Sequence, residues 1–219
     1  MGIVAAAIVI VVSFLLGSIP WGLVISKVFF HKDLRNEGSG NIGTTNAIRA
    51  LGKAGGYMVF VLDFAKGILS GVIAGALCSA LLPEGGFAAG YEPSYYTMLA
   101  LAFFFCIVGH IFTPWLGFKG GKGIACAVGC MFITFGPLVA VLELALFAIL
   151  VVSTKYVSVG SIAAAAACPF FALWTFWGHW PAVILCSMAA LIVVWAHRGN
   201  IERLRAGTES RIGDKKKAK

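Results

Sequence analysis

Residues 1–17 read MGIVAAAIVIVVSFLLG, a run with no charged side chain and scarcely a polar one. A helix in a soluble domain shows an apolar stripe and a polar face, whereas a segment apolar all round belongs in a deep core or in lipid. The run has no basic start and no small-residue cleavage site, so it reads as a first membrane span and not as a removed leader. It also lacks the Ser or Thr of a myristoylation signal. The same pattern recurs along the chain. Of 219 residues 60% are hydrophobic and 12% charged, and the mean hydropathy is +0.93. A soluble domain carries about 25% charged residues, so an ordinary globular protein, a disordered chain and a nucleic-acid-binding domain are all excluded. The net charge of +8 is read first as membrane topology.

Spans of about 20 residues fit near 3–29, 54–82, 97–116, 122–136, 137–154, 157–176 and 180–197. The fourth and fifth are short enough to form one broken hairpin. All seventeen Lys and Arg fall on one side of this arrangement, while 83–96 and the turns near Gly136 and Gly178 carry none. By the positive-inside rule the loops at 30–53 and 117–122 and the C-terminal tail are cytoplasmic and the N-terminus is outside. The expected fold is an all-α integral membrane protein of about seven transmembrane helices. Residues 1–205 form its single domain. Residues 206–219 are a basic tail, expected to be disordered near anionic head groups.

Three polar segments lie on the cytoplasmic side. In KDLRNEGSGNIGTTNAIRALGK (32–53), Gly38, Gly40 and Gly43 can turn successive amides toward an anion. Ser39, Asn41, Thr44, Thr45 and Asn46 add donors. A helix is expected to start with Thr45 or Asn46 as N-cap, putting Arg49 one turn on, where its fork can grip phosphate. Gly38, Gly40 and Gly43 satisfy GxGxxG, but no strand precedes them and no βαβ unit fits, so a dinucleotide fold is rejected. In GHIFTPWLGFKGGKGIA (109–125), Lys119, Gly120, Gly121 and Lys122 open a helix whose dipole favours an anion. The segment lacks the Walker A spacing, so nucleotide hydrolysis is not implied. In VVWAHRGNIERL (193–204), His197, Asn200 and Glu202 supply a proton acceptor, an amide and a carboxylate for a hydroxyl-bearing substrate.

Within the spans, Asp63 and Lys66 are three apart on one helix face and pair as structural support. Glu143 lies nearer mid-membrane, where an ionisable group is costly and hence a functional candidate. The six cysteines stand singly in apolar runs, without metal-ligand spacing, and read as small buried hydrophobes. Gly17, Ser18 and Pro20 mark a break in the first span, and His110 with Thr113-Pro114 a second bend. There is no carboxylate cluster for a divalent metal and no GxSxG elbow, so metal-dependent and covalent mechanisms have little support. Phosphate-binding loops at the level where acyl chains begin suit a reaction between a phosphate-bearing substrate and something carrying a fatty chain. An organophosphate transporter would need polar groups spread across the bilayer, and mid-membrane offers only Glu143.

The segments LGSIPWG (16–22), GSGNIGTTNAIRALG (38–52), LDFAKG (62–67), GHIFTPWLGFKGGKGIA (109–125) and HRGNIERL (197–204) together resemble the bacterial acyl-phosphate:glycerol-3-phosphate acyltransferase family, commonly called PlsY. The resemblance extends over nearly the whole chain in one order, with Thr44 as a departure from the expected Ala. It implies a multi-pass enzyme of the bacterial inner membrane with its active site facing the cytoplasm. That enzyme moves a fatty acyl group from a long-chain acyl phosphate to the 1-hydroxyl of sn-glycerol 3-phosphate, releasing lysophosphatidic acid and phosphate. It implies no cofactor or metal, no nucleic acid and no obligate protein partner; membrane lipids are its surroundings. With residue chemistry, it assigns His197, Lys119, Asn200 and Glu202 to catalysis, and Ser39, Gly40, Asn41, Thr45, Asn46, Arg49, Gly120, Gly121 and Lys122 to substrate and phosphate binding.

Overall fold

The structure, a computed structural model, describes residues 2–81 and 95–214. The expected outer loop at 83–96, apart from Tyr95 and Tyr96, and the lysine-rich end at 215–219 lie outside the described residues. In lipid each backbone amide must find its partner inside its own segment, so apolar runs close into helices; among the described residues there is no strand. Helices α1 (Gly2–Ser18) and α2 (Trp21–Phe30) make up the first apolar segment, interrupted at Ile19-Pro20, where proline has no N–H to continue the ladder. Helix α3 (Thr44–Leu81) bends at Gly52, whose φ of 82° and ψ of −178° set a short first piece at an angle to the long remainder. There follow α4 (Tyr95–Ile111), a 3-10 turn at Pro114–Leu116, α5 (Ile124–Thr134), α6 (Pro137–Thr154), α7 (Val157–Thr175), α8 (Trp180–Ala196) and α9 (Arg198–Arg205).

Among the described residues five segments are long and apolar enough to cross a membrane: Gly2–Phe30, Thr44–Leu81, Tyr95–Leu116, Pro137–Thr154 and Val157–Thr175. Helices α8 and α9, bent by 50° from one another, pass the same test together and add a sixth when counted as one broken span. The segment expected at 122–136 is the short α5. Its 11 residues rise about 16 Å at about 1.5 Å each, roughly half the ~30 Å hydrocarbon core. It packs against α3, α4 and α6 inside the bundle.

Lipid tails are as apolar as leucine, so helices join through close backbone approach and polar contacts. Two reciprocal glycine pairs supply the first. A Cβ on Gly17 of α1 would lie 2.1 Å from the Cys106 carbonyl of α4, and one on Gly109 of α4 would lie 2.2 Å from the Phe14 carbonyl of α1. Gly67 of α3 and Gly129 of α5 stand in the same relation to Cys126 and Phe64. Large apolar side chains such as Ile149, Val152, Phe170 and Leu191 point outward and are exposed. All six cysteines are buried and free.

The polar contact is a buried node at the first bend. Lys66 Nζ lies 2.8 Å from Asp63 Oδ1. The same ammonium donates to Ile19 O and to His110 Nδ1, both at 2.9 Å. One lysine thus ties the break between α1 and α2 to α3 and α4. Thr113 Oγ1 donates to Ser18 O at 2.6 Å and Trp115 Nε1 to Ser18 Oγ at 2.9 Å, which pins the chain after α4 to the same break. Lys66→Met leaves the buried Asp63 carboxylate without its cation and is expected to cost about 3–5 kcal/mol, read as a lower thermal unfolding midpoint in detergent. Lys66→Met with Asp63→Asn is expected to recover much of that loss, and exposed Lys27→Met to change little.

Candidate functional site

The loop after α2 is organised by two side chains. Asp33 Oδ1 accepts from Arg35 N at 3.0 Å and its carboxylate pairs with Arg35 Nη2 at 2.6 Å; the hydrogen bond from Arg35 holds that carboxyl well below the usual range. Asn46, nearly fully buried, donates to the carbonyls of Leu34, Glu37 and Asn41 and accepts from Ser39 N. Its hydrogen-bonding capacity is spent on the loop, so Asn46 is the scaffold of the segment and not the phosphate ligand expected from sequence. Helix α3 starts at Thr44 and not beyond Thr45 or Asn46: Ala47 N donates to Gly43 O at 3.0 Å, and Asn41 Oδ1 accepts from Gly43 N at 2.9 Å. Gly40 N donates to Glu37 O. The amides of Ser39, Gly40 and Gly43 therefore serve the loop itself, and the expected amide nest does not open toward a ligand. Thr45 is half-buried in the first turn of α3 and does not line the cavity described below.

The Gly120-Gly121 pair is corrected in the same way. Gly120 N donates to Ile111 O at 2.9 Å and Gly121 N to His110 O at 3.1 Å. A Cβ at Gly120 would sit 2.0 Å from His110 O, and one at Gly121 2.1 Å from His110 Nε2. These glycines dock the turn against the end of α4, and their amides are not free for an anion. The docking separates the two lysines. Lys119 is exposed and off the cavity wall, whereas Lys122 is turned inward and donates to Asn200 Oδ1.

His197 lies at the bend between α8 and α9, 3% exposed. Its Nδ1 is 2.8 Å from Val193 O; a carbonyl only accepts, so Nδ1 carries the hydrogen and Nε2 is left as the acceptor. His197 does not form part of the cavity wall. Beyond α9 the chain turns back. Thr208 N and Glu209 N donate to Arg203 O. The Glu209 carboxylate accepts from Asn200 Nδ2 at 2.6 Å and from Arg203 Nε at 2.7 Å. Ser210 O accepts from Arg49 Nη2 at 3.5 Å, Ile212 N donates to Lys155 O at 2.8 Å, and Arg211 Nε donates to Tyr156 Oη at 2.9 Å. Residues 206–214, expected to be disordered, instead form a strap over the site, because Glu209 meets cations and an amide that only the fold gathers. Burial pushes the Glu209 carboxyl up, but hydrogen bonds led by Asn200 and Arg203 bring it net below the ordinary value.

Ser39, Gly40 and Asn41 face Lys122, Arg198, Gly199, Asn200, Glu202 and Arg203 across a cavity of about 300 Å³. Burial, then Arg203 and also Arg49, pull Lys122 down to about 8, with Glu209 opposing. Lys122, Arg198 and Arg203 thus bring three cations to the wall of one small polar space, an arrangement for an anion of high charge density, with Arg49 outside the wall. Arg198 and Arg203 of its wall, and Glu209 bonded to Asn200 and Arg203, were not among the site residues expected from sequence. Arg203 had a signal, lying one helical turn from Asn200; Glu209 had none. A second, apolar cavity of about 120 Å³ is lined by Ile124 and Met131 of α5, Val193 of α8 and Glu143 of α6; α8 borders both cavities, with Ala196 on the polar one and Val193 one turn away on the apolar one.

A family model described as glycerol-3-phosphate acyltransferase matches residues 7–207. The glycerol-3-phosphate acyltransferases of Listeria monocytogenes serotype 4a (strain HCC23) and Rhodopseudomonas palustris (strain BisB5) are 38% and 39% identical over 200 and 215 residues, covering 91% and 98% of this chain and 93% and 99% of theirs. The chain belongs to the glycerol-3-phosphate acyltransferase family. The crystal structure of PlsY (YgiH), an integral membrane glycerol 3-phosphate acyltransferase, in its glycerol 3-phosphate form, is similar with a TM-score of 0.81 and 35% identity over 95% of this chain and 96% of that one. Its lysophosphatidic acid form gives 0.77 and 33% over 94% of each. An acyltransferase of this family joins a small anion to a long apolar chain, the same contrast that the two cavities present.

The lysine pair supplies a direct test. Lys122→Ala is expected to lower kcat/KM for glycerol 3-phosphate by at least about 100-fold, the loss of a desolvated charge-assisted contact, while Lys119→Ala stays within about threefold. Lys122 is cationic below its pKa of about 8 and neutral above it. Acceptor kcat/KM is therefore expected to fall as pH rises through about 8, well before an ordinary lysine would titrate; a flat profile to pH 10 overturns the role of Lys122.

Proposed function

We propose that the protein transfers a long-chain acyl group from acyl phosphate to the 1-hydroxyl of sn-glycerol 3-phosphate, giving lysophosphatidic acid and inorganic phosphate. The observation that carries this reading is the polar cavity lined by Lys122, Arg198 and Arg203, with Arg49 near enough to act on the charge of Lys122, together with an apolar cavity inside the bundle that α8 also borders, one turn from Ala196 at Val193. Phosphate groups belong in the first and the acyl chain in the second. Acyl phosphate is a mixed anhydride and already activated, so the protein needs chiefly to align the reactants and to stabilise the charge that develops as phosphate leaves.

Lys122, Arg49 and Arg203 hold the phosphates, with Ser39, Gly40 and Asn41 forming the facing wall. Asn200 orients Lys122 through its carbonyl oxygen, and Glu202 borders the glycerol hydroxyls. The acceptor hydroxyl attacks the acyl carbonyl, a C–O ester bond forms, and the bond from the acyl carbon to the phosphate oxygen breaks with its electron pair leaving on phosphate. The hydroxyl proton passes to a phosphate oxygen and not to His197, which is not part of the cavity wall and fixes the bend between α8 and α9 through Val193. The one-sided distribution of Lys and Arg supports an active site on the cytoplasmic face of the bacterial inner membrane, with the N-terminus outside.

The test gives detergent-purified protein labelled glycerol 3-phosphate with palmitoyl phosphate or, in parallel, palmitoyl-CoA, both with chelator. Lysophosphatidic acid and phosphate are expected from the acyl phosphate alone, undiminished by chelator. Product from the thioester alone overturns the donor assignment, and no product from either in folded protein overturns acyl transfer itself.

A further inference from the structure

Glu143 is the one carboxyl among the residues lining the apolar cavity. It is 6% exposed, and its Oε1 has no hydrogen-bond partner among the described residues. The wall around it is apolar or small, with Ala140, Phe147, Ala165 and Cys168 on the neighbouring turns of α6 and α7. A buried polar atom left unpaired in a native protein calls for an explanation, and nothing in the packing of α6 requires a carboxyl there.

Its depth supplies one. Lys155, at the end of α6, is held by Ile212 of the strap, three residues beyond Glu209, which bonds Asn200 and Arg203 of the polar cavity wall, so it marks the cytoplasmic end of α6 on the side of that cavity. Glu143 is twelve residues back along α6, which at about 1.5 Å per residue is about 18 Å deeper. Acyl chains of one leaflet reach across about half of the ~30 Å hydrocarbon core. A chain with its carbonyl at the polar cavity and its tail in the apolar one therefore ends close to Glu143.

We propose that Glu143 is a specificity-determining residue that sets the upper length of the acyl chain accepted by the enzyme. This rests on the acyl-transfer reading above. A chain ending short of Glu143 leaves its carboxyl oxygen room for a water. A longer one presses methylenes against Oε1, strips that water and offers no hydrogen bond in return. One methylene in a closed apolar pocket discriminates by roughly 10- to 200-fold, so the limit is expected to fall within one or two methylenes.

The test measures kcat/KM for lauroyl, myristoyl, palmitoyl and stearoyl phosphate with wild type, Glu143→Leu and Glu143→Gln, each checked by thermal unfolding. Glu143→Leu is expected to raise the ratio of the longest to the shortest donor by about tenfold or more, while Glu143→Gln, still polar and of the same size, keeps the wild-type ratio. A change by one common factor for all four donors, or an unchanged ratio in Glu143→Leu, overturns the proposal. Glu143→Met carries the same test if the leucine variant does not accumulate. The series is repeated with the matching acyl-CoA donors. Use of thioesters in place of acyl phosphates refutes the donor assignment, while the length ratio still decides the role of Glu143.

Discussion

An ammonium group buried among helices holds this molecule together. Lys66 reaches Asp63 on its own helix, the Ile19 carbonyl at the α1–α2 break and the ring of His110 at the end of α4. A buried charge survives only where its partners are complete, so the three elements have little freedom to part. His110 extends the constraint outward, since its carbonyl and its ring form the bed on which Gly120 and Gly121 lie. The direction in which Lys122 points follows from a contact two steps away in the core.

This chain of dependence gives the glycines a meaning that composition alone does not convey. At a membrane surface a glycine-rich turn beside lysines suggests amides waiting for phosphate. Here the amides are already bonded, to α4 in one turn and to the loop's own carbonyls and Asn46 in the other. On the proposed reading, recognition of an anion is left to side chains of the cavity wall: the half-buried Lys122, the arginines Arg198 and Arg203, and the polar atoms of Ser39 and Asn41. Charge concentrated in partly buried side chains acts through a lower effective dielectric than an exposed loop would offer.

The strap at 206–214 closes the arrangement. Glu209 balances part of the positive charge around Lys122 and fixes Asn200, which in turn holds the lysine. The polar cavity is thus bordered by the loop, the turn, α9 and the end of α8 and tied from behind by the strap; loop, turn, α9 and strap have no buried apolar face large enough to keep their place alone. The bundle supplies the rigidity, through glycine contacts at which α1 meets α4 and α3 meets α5 almost backbone to backbone.

The helical membrane fold and the approximate positions of the apolar segments were legible in the sequence, because hydrophobic length is a one-dimensional property that the bilayer converts directly into helices. The family was legible as well, since Ser39, Arg49, Lys122 and Asn200 stand in short segments that keep their order along the chain. What the sequence left undecided was which polar groups are spent and which are free. Asn46 and Gly121 look like ligands in a linear reading and are structural. Lys119 and Lys122 look equivalent and face opposite ways. Arg203 and Glu209 are six residues apart in a stretch that reads as helix end and tail, yet they complete the site. Each of these outcomes depends on hydrogen bonds between elements far apart in the chain, and such bonds exist only once packing has brought donor and acceptor within about 3 Å.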